Sequence, residues 1–208
     1  MNVLLVHGLW RTPISLLRLM RRLRSWGHTS QLFGYAAVAQ GYEAIVARLV
    51  RRLDRLAALG PYAVIGHSLG GVLLRSALPL VTGGPPVHMI MLGTPNRPPR
   101  LARTLGVSWV YRRLMGECGA NLTSSDFYAR LPIPQVPYTI VAGTAGPHWR
   151  WMPFGDELND GIVAVSETCL GEHDHIVILP VAHTFMMNNP GVHAVIRQVL
   201  AASVVGGS

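Results

Sequence analysis

Three side chains of this chain, Ser68, Asp160 and His183, have the types and the order that acyl-transfer chemistry needs. Ser68 lies in Gly66-His67-Ser68-Leu69-Gly70, directly after the apolar run Tyr62 to Ile65 and ahead of a helical pattern from Leu69 to Leu78. A serine on a sharp strand-to-helix turn has strained backbone angles and an exposed hydroxyl, and glycine at both flanks lets strand and helix approach closely. The same turn leaves the hydroxyl near a helix N-terminus, where the dipole favours developing negative charge. The alternative is an ordinary glycine turn capped by serine, so the other motifs carry the decision.

A serine nucleophile needs a base. Of the nine histidines, His183 alone follows directly on the last strand-like run, where a loop can swing its imidazole over Ser68. A carboxylate is then required to hold the neutral ring in the right tautomer and to stabilise the imidazolium. Acids crowd between Asp156 and Glu172, and Asp160-Gly161 follows the fifth predicted strand, ahead of the apolar run Ile162 to Val165. Asp160 is the choice, with Asp156 and Glu157 as alternatives. The tetrahedral intermediate needs two preorganised N–H donors. Leu69, next after the nucleophile, supplies one, and Leu9 in His7-Gly8-Leu9-Trp10 is the natural second, although that stretch can also be a plain strand end. His67 and His7 are read as packing residues. Glu172-His173-Asp174-His175 resembles a metal cluster, but His173 and His175 on a strand lack the further ligands zinc needs. Asp156, Glu157 and Asp160 lack a calcium-loop pattern. No metal and no cofactor is expected.

The elements that must position these groups alternate. Strand-like runs cover Asn2 to Val6, Thr29 to Phe33, Tyr62 to Ile65, Val87 to Leu92, Tyr138 to Ala142 and His175 to Leu179. Helical patterns cover Pro13 to Trp26, Tyr42 to Leu59, Leu69 to Leu78 and Pro190 to Ala202. Such alternation predicts an α/β fold with a mainly parallel sheet covered by helices. Leu16, Leu19, Met20 and Leu23 form one apolar stripe, and Ile45, Leu49, Leu53 and Leu56 another. Residues 94–137 break the pattern, with one helix expected from Ser108 to Met115. A structureless loop of that length is improbable, so helical pieces acting as a cap or pocket wall are expected. Trp10, Trp109, Trp149 and Phe185 are candidate substrate-binding residues.

At 208 residues the chain suits one well-buried core, so 1–208 is read as a single domain. Hydrophobic residues at 50% and charged residues at 13% argue against a disordered chain. No apolar run approaches the ~20 residues that cross a bilayer. Met1 leads straight into a strand-like run without a leader pattern, so a cytoplasmic monomer is expected. Cys118 and Cys169 exclude a disulfide framework and are expected to be free thiols. The net charge of +8 is carried by arginine alone, with fifteen Arg against Glu43 and Asp54 up to Gly116. Those arginines recur at 18, 21, 22 and at 48, 51, 52, 55, the outer faces of two helices, so no nucleic-acid partner is expected. Peripheral contact with anionic lipid surfaces is compatible with them.

Val3 to Trp10, Gly66 to Gly70, Leu92-Gly93-Thr94-Pro95, Asp160-Gly161-Ile162-Val163 and His183 together resemble the small lipase/esterase branch of the α/β-hydrolase superfamily. The resemblance spans the chain and implies a minimal fold with strand order 2-1-3-4-5-6. It implies a small-molecule or lipid ester as substrate, cleaved through an acyl-enzyme on Ser68 without a cofactor, and places the first two helices on opposite faces of the sheet. Related lipases often follow Gly-Thr-Pro with a histidine and a small residue, whereas this chain reads Asn96-Arg97-Pro98-Pro99-Arg100. A thioesterase or acyltransferase uses the same residues, and a non-catalytic binding protein can share the fold.

Overall fold

The structure, a computed structural model, describes the chain except residues 107, 108, 148–151, 172, 173, 175 and 206–208 and the side chains of 103, 105, 106, 109–115, 204 and 205. The strands are β1 Asn2–Val6, β2 Thr29–Phe33, β3 Tyr62–His67, β4 His88–Leu92, β5 Tyr138–Gly143 and β6 Ile176–Leu179. All pairings are parallel, in the order β2-β1-β3-β4-β5-β6, as the resemblance implies. The helices are α1 Leu17–Ser25, α2 Tyr42–Ala57, α3 Leu69–Ala77, α4 Arg100–Gly106, α5 Trp109–Thr123, α6 Ser125–Arg130, α7 Val165–Thr168 and α8 Pro190–Val205.

Unbroken apolar strands need cover on both faces, and pleating sends alternate side chains to opposite sides. Leu4, Val6, Val64, Met89 and Met91 pack with Ile45, Leu49 and Leu53 of α2 and Val72 and Leu73 of α3. Val3, Leu5, Ile65, Ile90 and Leu92 pack with Leu19 and Leu23 of α1 and Val192, Ile196 and Leu200 of α8. Each large side chain so buried stabilises the fold by roughly 1.5–3 kcal/mol. The arginine stripes of α1 and α2 therefore lie over opposite faces of the sheet, and no single basic platform forms from them.

The sequence and the structure differ at a few ends. The first helix opens as a 3-10 turn over Pro13–Leu16 before α1 proper. β3 continues past Ile65 because Gly66 and His67 remain paired with Met91 and Leu92 of β4. The expected single helix from Ser108 to Met115 is instead α5 of a three-helix segment, α4 to α6. Gly116 breaks α5 with φ 61°, and a Cβ there would lie 2.9 Å from the Val38 carbonyl oxygen, so the bend admits glycine alone without displacement. The bend delivers Glu117, whose carboxylate accepts the Tyr42 N–H at 2.9 Å and caps α2, whose own N-cap, Gly41, has no side chain. Cys118 and Cys169 are free thiols.

Candidate functional site

The turn that carries Ser68 is built by steric exclusion. β3 ends at His67, α3 begins at Leu69, and Ser68 between them has φ 52° and ψ −123°. A Cβ on Gly66 would lie 2.5 Å from the Gly71 nitrogen, and one on Gly70 would lie 2.3 Å from the Val6 carbonyl oxygen. The turn is held by Ser68 N–H to the Leu92 carbonyl and Gly71 N–H to the Ser68 carbonyl, both 2.9 Å. Strain of this kind persists only where the surroundings over-determine it.

The β1 loop closes on the elbow. A Cβ on Gly8 would lie 3.0 Å from Ser68 Cβ, so only glycine brings the chain that near. Arg11 N–H donates to the Gly8 carbonyl at 3.3 Å, and Trp10 takes a positive φ of 58° to complete the turn. Among the described residues neither Leu9 N–H nor Leu69 N–H has an acceptor. His7 carries the loop base. Its ring stacks on Tyr35 at 4.2 Å between centroids, and Tyr35 OH donates to the His7 carbonyl at 2.7 Å. Burial lowers the pKa of His7.

Asp160 and His183 meet by two bonds. The carboxylate Oδ2 lies 2.6 Å from His183 Nδ1, and His183 N–H donates to the Asp160 carbonyl at 2.9 Å. Asp160 Oδ1 accepts the N–H groups of Ile162 at 2.9 Å and Val163 at 2.8 Å, which fixes the carboxylate plane. Gly93, at φ 53°, makes room for the pair, because a Cβ there would lie 3.0 Å from Asp160 Oδ2 and 3.1 Å from His183 Nδ1. A neutral His183 thus carries its proton on Nδ1 and leaves Nε2 as an acceptor. Among the described residues no hydrogen bond joins Ser68 Oγ to this ring. Both instead line one cavity of ≈ 290 Å³, and such contacts commonly tighten only when substrate is bound.

The loop that carries Asp160 is held by residues that sequence reasoning passed over. Arg100, the first residue of α4, donates to Glu157 and, at 2.9 Å, to Glu167 Oε1. Glu167 Oε2 accepts the Ala164 N–H at 2.9 Å. Asn159 is fully buried; its Oδ1 accepts the Gly161 N–H at 2.9 Å, and its carbonyl accepts the Gly146 N–H at 2.8 Å. Glu157, an alternative acid, is therefore engaged with Arg100, and Asp156 is exposed. Burial pushes the Glu157 pKa up, but hydrogen bonds from Ser166 and Arg100 outweigh it and hold the pKa below the usual value. Asp174 of the candidate metal cluster accepts from Tyr138 OH at 2.7 Å, while Glu172, His173 and His175 lie outside the described residues. Among the described residues no three metal-ligating side chains converge.

His67 is another residue of this kind. Its Nε2–H donates to the His183 carbonyl at 3.1 Å, and the two rings lie 4.8 Å apart. Burial, then the neighbouring His183, keeps the His67 pKa well below the ordinary value, so this ring is neutral. Its position inside the elbow was visible in the sequence, but its bond to residue 183 required the fold.

The cavity is lined by Leu9, Trp10, Pro99, Leu101, Leu122 and Val163 beside Ser68 and His183. Leu9 and Trp10 thus line the cavity, and residues of the 94–137 segment form one wall. Phe185 does not. It sits 65% exposed on a 3-10 turn and is absent from the lining, because Met186 and Met187 beside it take the inward positions of that turn. Trp149 lies outside the described residues, as does the side chain of Trp109, the first residue of α5.

No protein-family model and no curated protein sequence matches the chain. Solved structures do. A mature lipase of Bacillus licheniformis superposes with a TM-score of 0.76 at 16% identity, covering 96% of this chain and 91% of its own. A thioesterase of the prodiginine pathway of Streptomyces coelicolor superposes at 0.63 and 15% identity, covering 97% and 85%. An extracellular α/β-hydrolase of a Paenibacillus species superposes at 0.62 and 16% identity, covering 97% and 98%. The chain has the α/β-hydrolase fold.

Proposed function

We propose that this chain is a serine hydrolase that cleaves carboxylic esters through an acyl-enzyme on Ser68. The observation that carries the reading is the 2.6 Å Asp160–His183 pair facing the cavity that the strained Ser68 also lines. His183 Nε2 takes the Ser68 proton as Oγ attacks the carbonyl carbon. The N–H groups of Leu9 and Leu69 hold the oxyanion, and Asp160 stabilises the imidazolium. The proton passes to the leaving oxygen as its bond to carbon breaks. Water then attacks the acyl-enzyme, gives a proton to His183, and releases the acid as Ser68 recovers its hydrogen. The segment 94–137 serves as pocket wall, with Trp10 at the substrate.

A cavity of ≈ 290 Å³ stands at the small end of the ~300–1,000 Å³ range of ligand sites, which favours a short acyl chain. The fold shared with a thioesterase keeps a thioester as the second reading. The test is a panel of p-nitrophenyl esters of increasing chain length, run with Ser68→Ala, His183→Ala and Asp160→Asn. Turnover that peaks at short chains and is lost in all three variants is expected. Absence of turnover with any ester or thioester favours a binding protein on this fold.

A further inference from the structure

Arg11 stands out on the cavity wall. Its neighbours there are apolar except Ser68, His183 and Thr184, and none of the described lining residues is acidic. The residue is half-buried, yet among the described residues its guanidinium has no carboxylate and no hydrogen-bond acceptor. An arginine on a cavity wall without a counterion is a ready partner for an anionic group of a bound ligand. The backbone bond from Arg11 to Gly8 places the residue in the same four-residue turn that contains Leu9.

We infer that Arg11 is a specificity-determining residue that binds an anionic, phosphate-bearing group on the leaving side of the substrate. This rests on the serine-hydrolase reading of the same site and adds the substrate class to it. The anion belongs to the leaving group because the remaining walls, Pro99, Leu101, Ala102 and Leu122, are apolar and would desolvate a charge on the acyl chain. A guanidinium fork suits phosphate oxygens bidentately. In the reaction the bond between carbonyl carbon and leaving oxygen or sulfur breaks, the acyl group passes to Ser68 Oγ, and the proton relayed by His183 goes to the leaving atom. Two sources share this chemistry, a phosphate-bearing thiol carrier and a phospholipid headgroup.

The experiment uses pairs matched in the acyl group and in the bond cleaved. One pair is butyryl-coenzyme A and the neutral S-butyryl-N-acetylcysteamine; the other is dibutyryl phosphatidic acid and the neutral dibutyrylglycerol. The expected result is a kcat/KM ratio of charged to neutral substrate of ~10–100 in at least one pair, carried mainly by KM. That ratio should collapse in Arg11→Gln, survive in part in Arg11→Lys, and shrink at high salt. The responding pair identifies the source. Neutral substrates cleaved without a charged preference, or a preference untouched by Arg11→Gln, overturns the inference and leaves the hydrolase reading standing. A preference for a butanedioic half-ester, with the charge on the acyl side, overturns the placement of the anion. No cleavage of any of these substrates, or cleavage that persists in Ser68→Ala, overturns both.

Discussion

The elbow and the acid loop bring their side chains to one cavity by different physics. Around Ser68, position is set by close approach, with Gly66, Gly70 and Gly8 leaving no space for a side chain between β1, β3 and α3. Around Asp160, position is set by directed polar bonds from other parts of the chain, Arg100 to Glu167 and Gly146 N–H to the Asn159 carbonyl among them. Repulsion at short range is steep, so the elbow either forms or fails. Hydrogen bonds are individually modest, at ~0.5–1.5 kcal/mol net and ~1.5–3 when charged, so the acid loop can loosen by degrees.

Four experiments test that contrast. Ser68→Ala should lower turnover by roughly 10⁴–10⁶-fold while leaving the melting temperature near that of the parent, since it removes a hydroxyl and not the fit. A surviving activity above that range would place the nucleophile elsewhere. Gly70→Ala drives a methyl into the Val6 and His7 carbonyls and should cost about 2–4 kcal/mol of stability, measured by urea unfolding. If it is tolerated, close approach is not what holds the elbow.

Glu167→Gln and Arg100→Met should act gradually instead, each lowering kcat by about 10-fold with little change in KM and costing ~1–3 kcal/mol of stability. A double-mutant cycle should show them coupled, because they share one bond. Additive effects would separate α4 from the acid loop. The smallest effect is acid sensitivity. Burial holds the folded rings of His67, His7 and His193 neutral, whereas the unfolded chain takes up protons below about 6.5. Protons therefore favour unfolding, so stability is full above that pH and declines beneath it. The melting temperature should fall by a few degrees between about pH 7.5 and about pH 5.5. The slope should lessen in His67→Gln.

Legibility followed the same division. The ends of β1 and β2 and the elbow are written in local patterns, namely apolar runs, flanking glycines and Pro or Gly at helix ends, whereas the sheet order came from the family resemblance and not from any local pattern. The choice of Asp160 over Asp156 and Glu157 needed only chain order and the following apolar run, and the structure brings that carboxylate to His183. The α4–α6 segment was harder to read. Its shape depends on Gly116 meeting Val38 and on Glu117 capping α2, contacts that no periodicity encodes. Buried Arg75 is a similar case. It donates to the carbonyls of Leu131 and Pro132 and to Asn96, and burial lowers its pKa to about 10, yet in sequence it is one arginine among eighteen.

By itself the sequence determined the periodic elements and the strained turn that raises Ser68, because each depends on residues within a few positions of one another, and it determined the order serine, acid, histidine because that order is the chain itself. Only the tertiary structure decided which wall faces Ser68, that Phe185 turns outward, that His67 holds the backbone of His183, and that Arg11 has no counterion among the described residues. Those outcomes depend on surfaces from distant segments meeting, where the energy of each contact is set by distance in space.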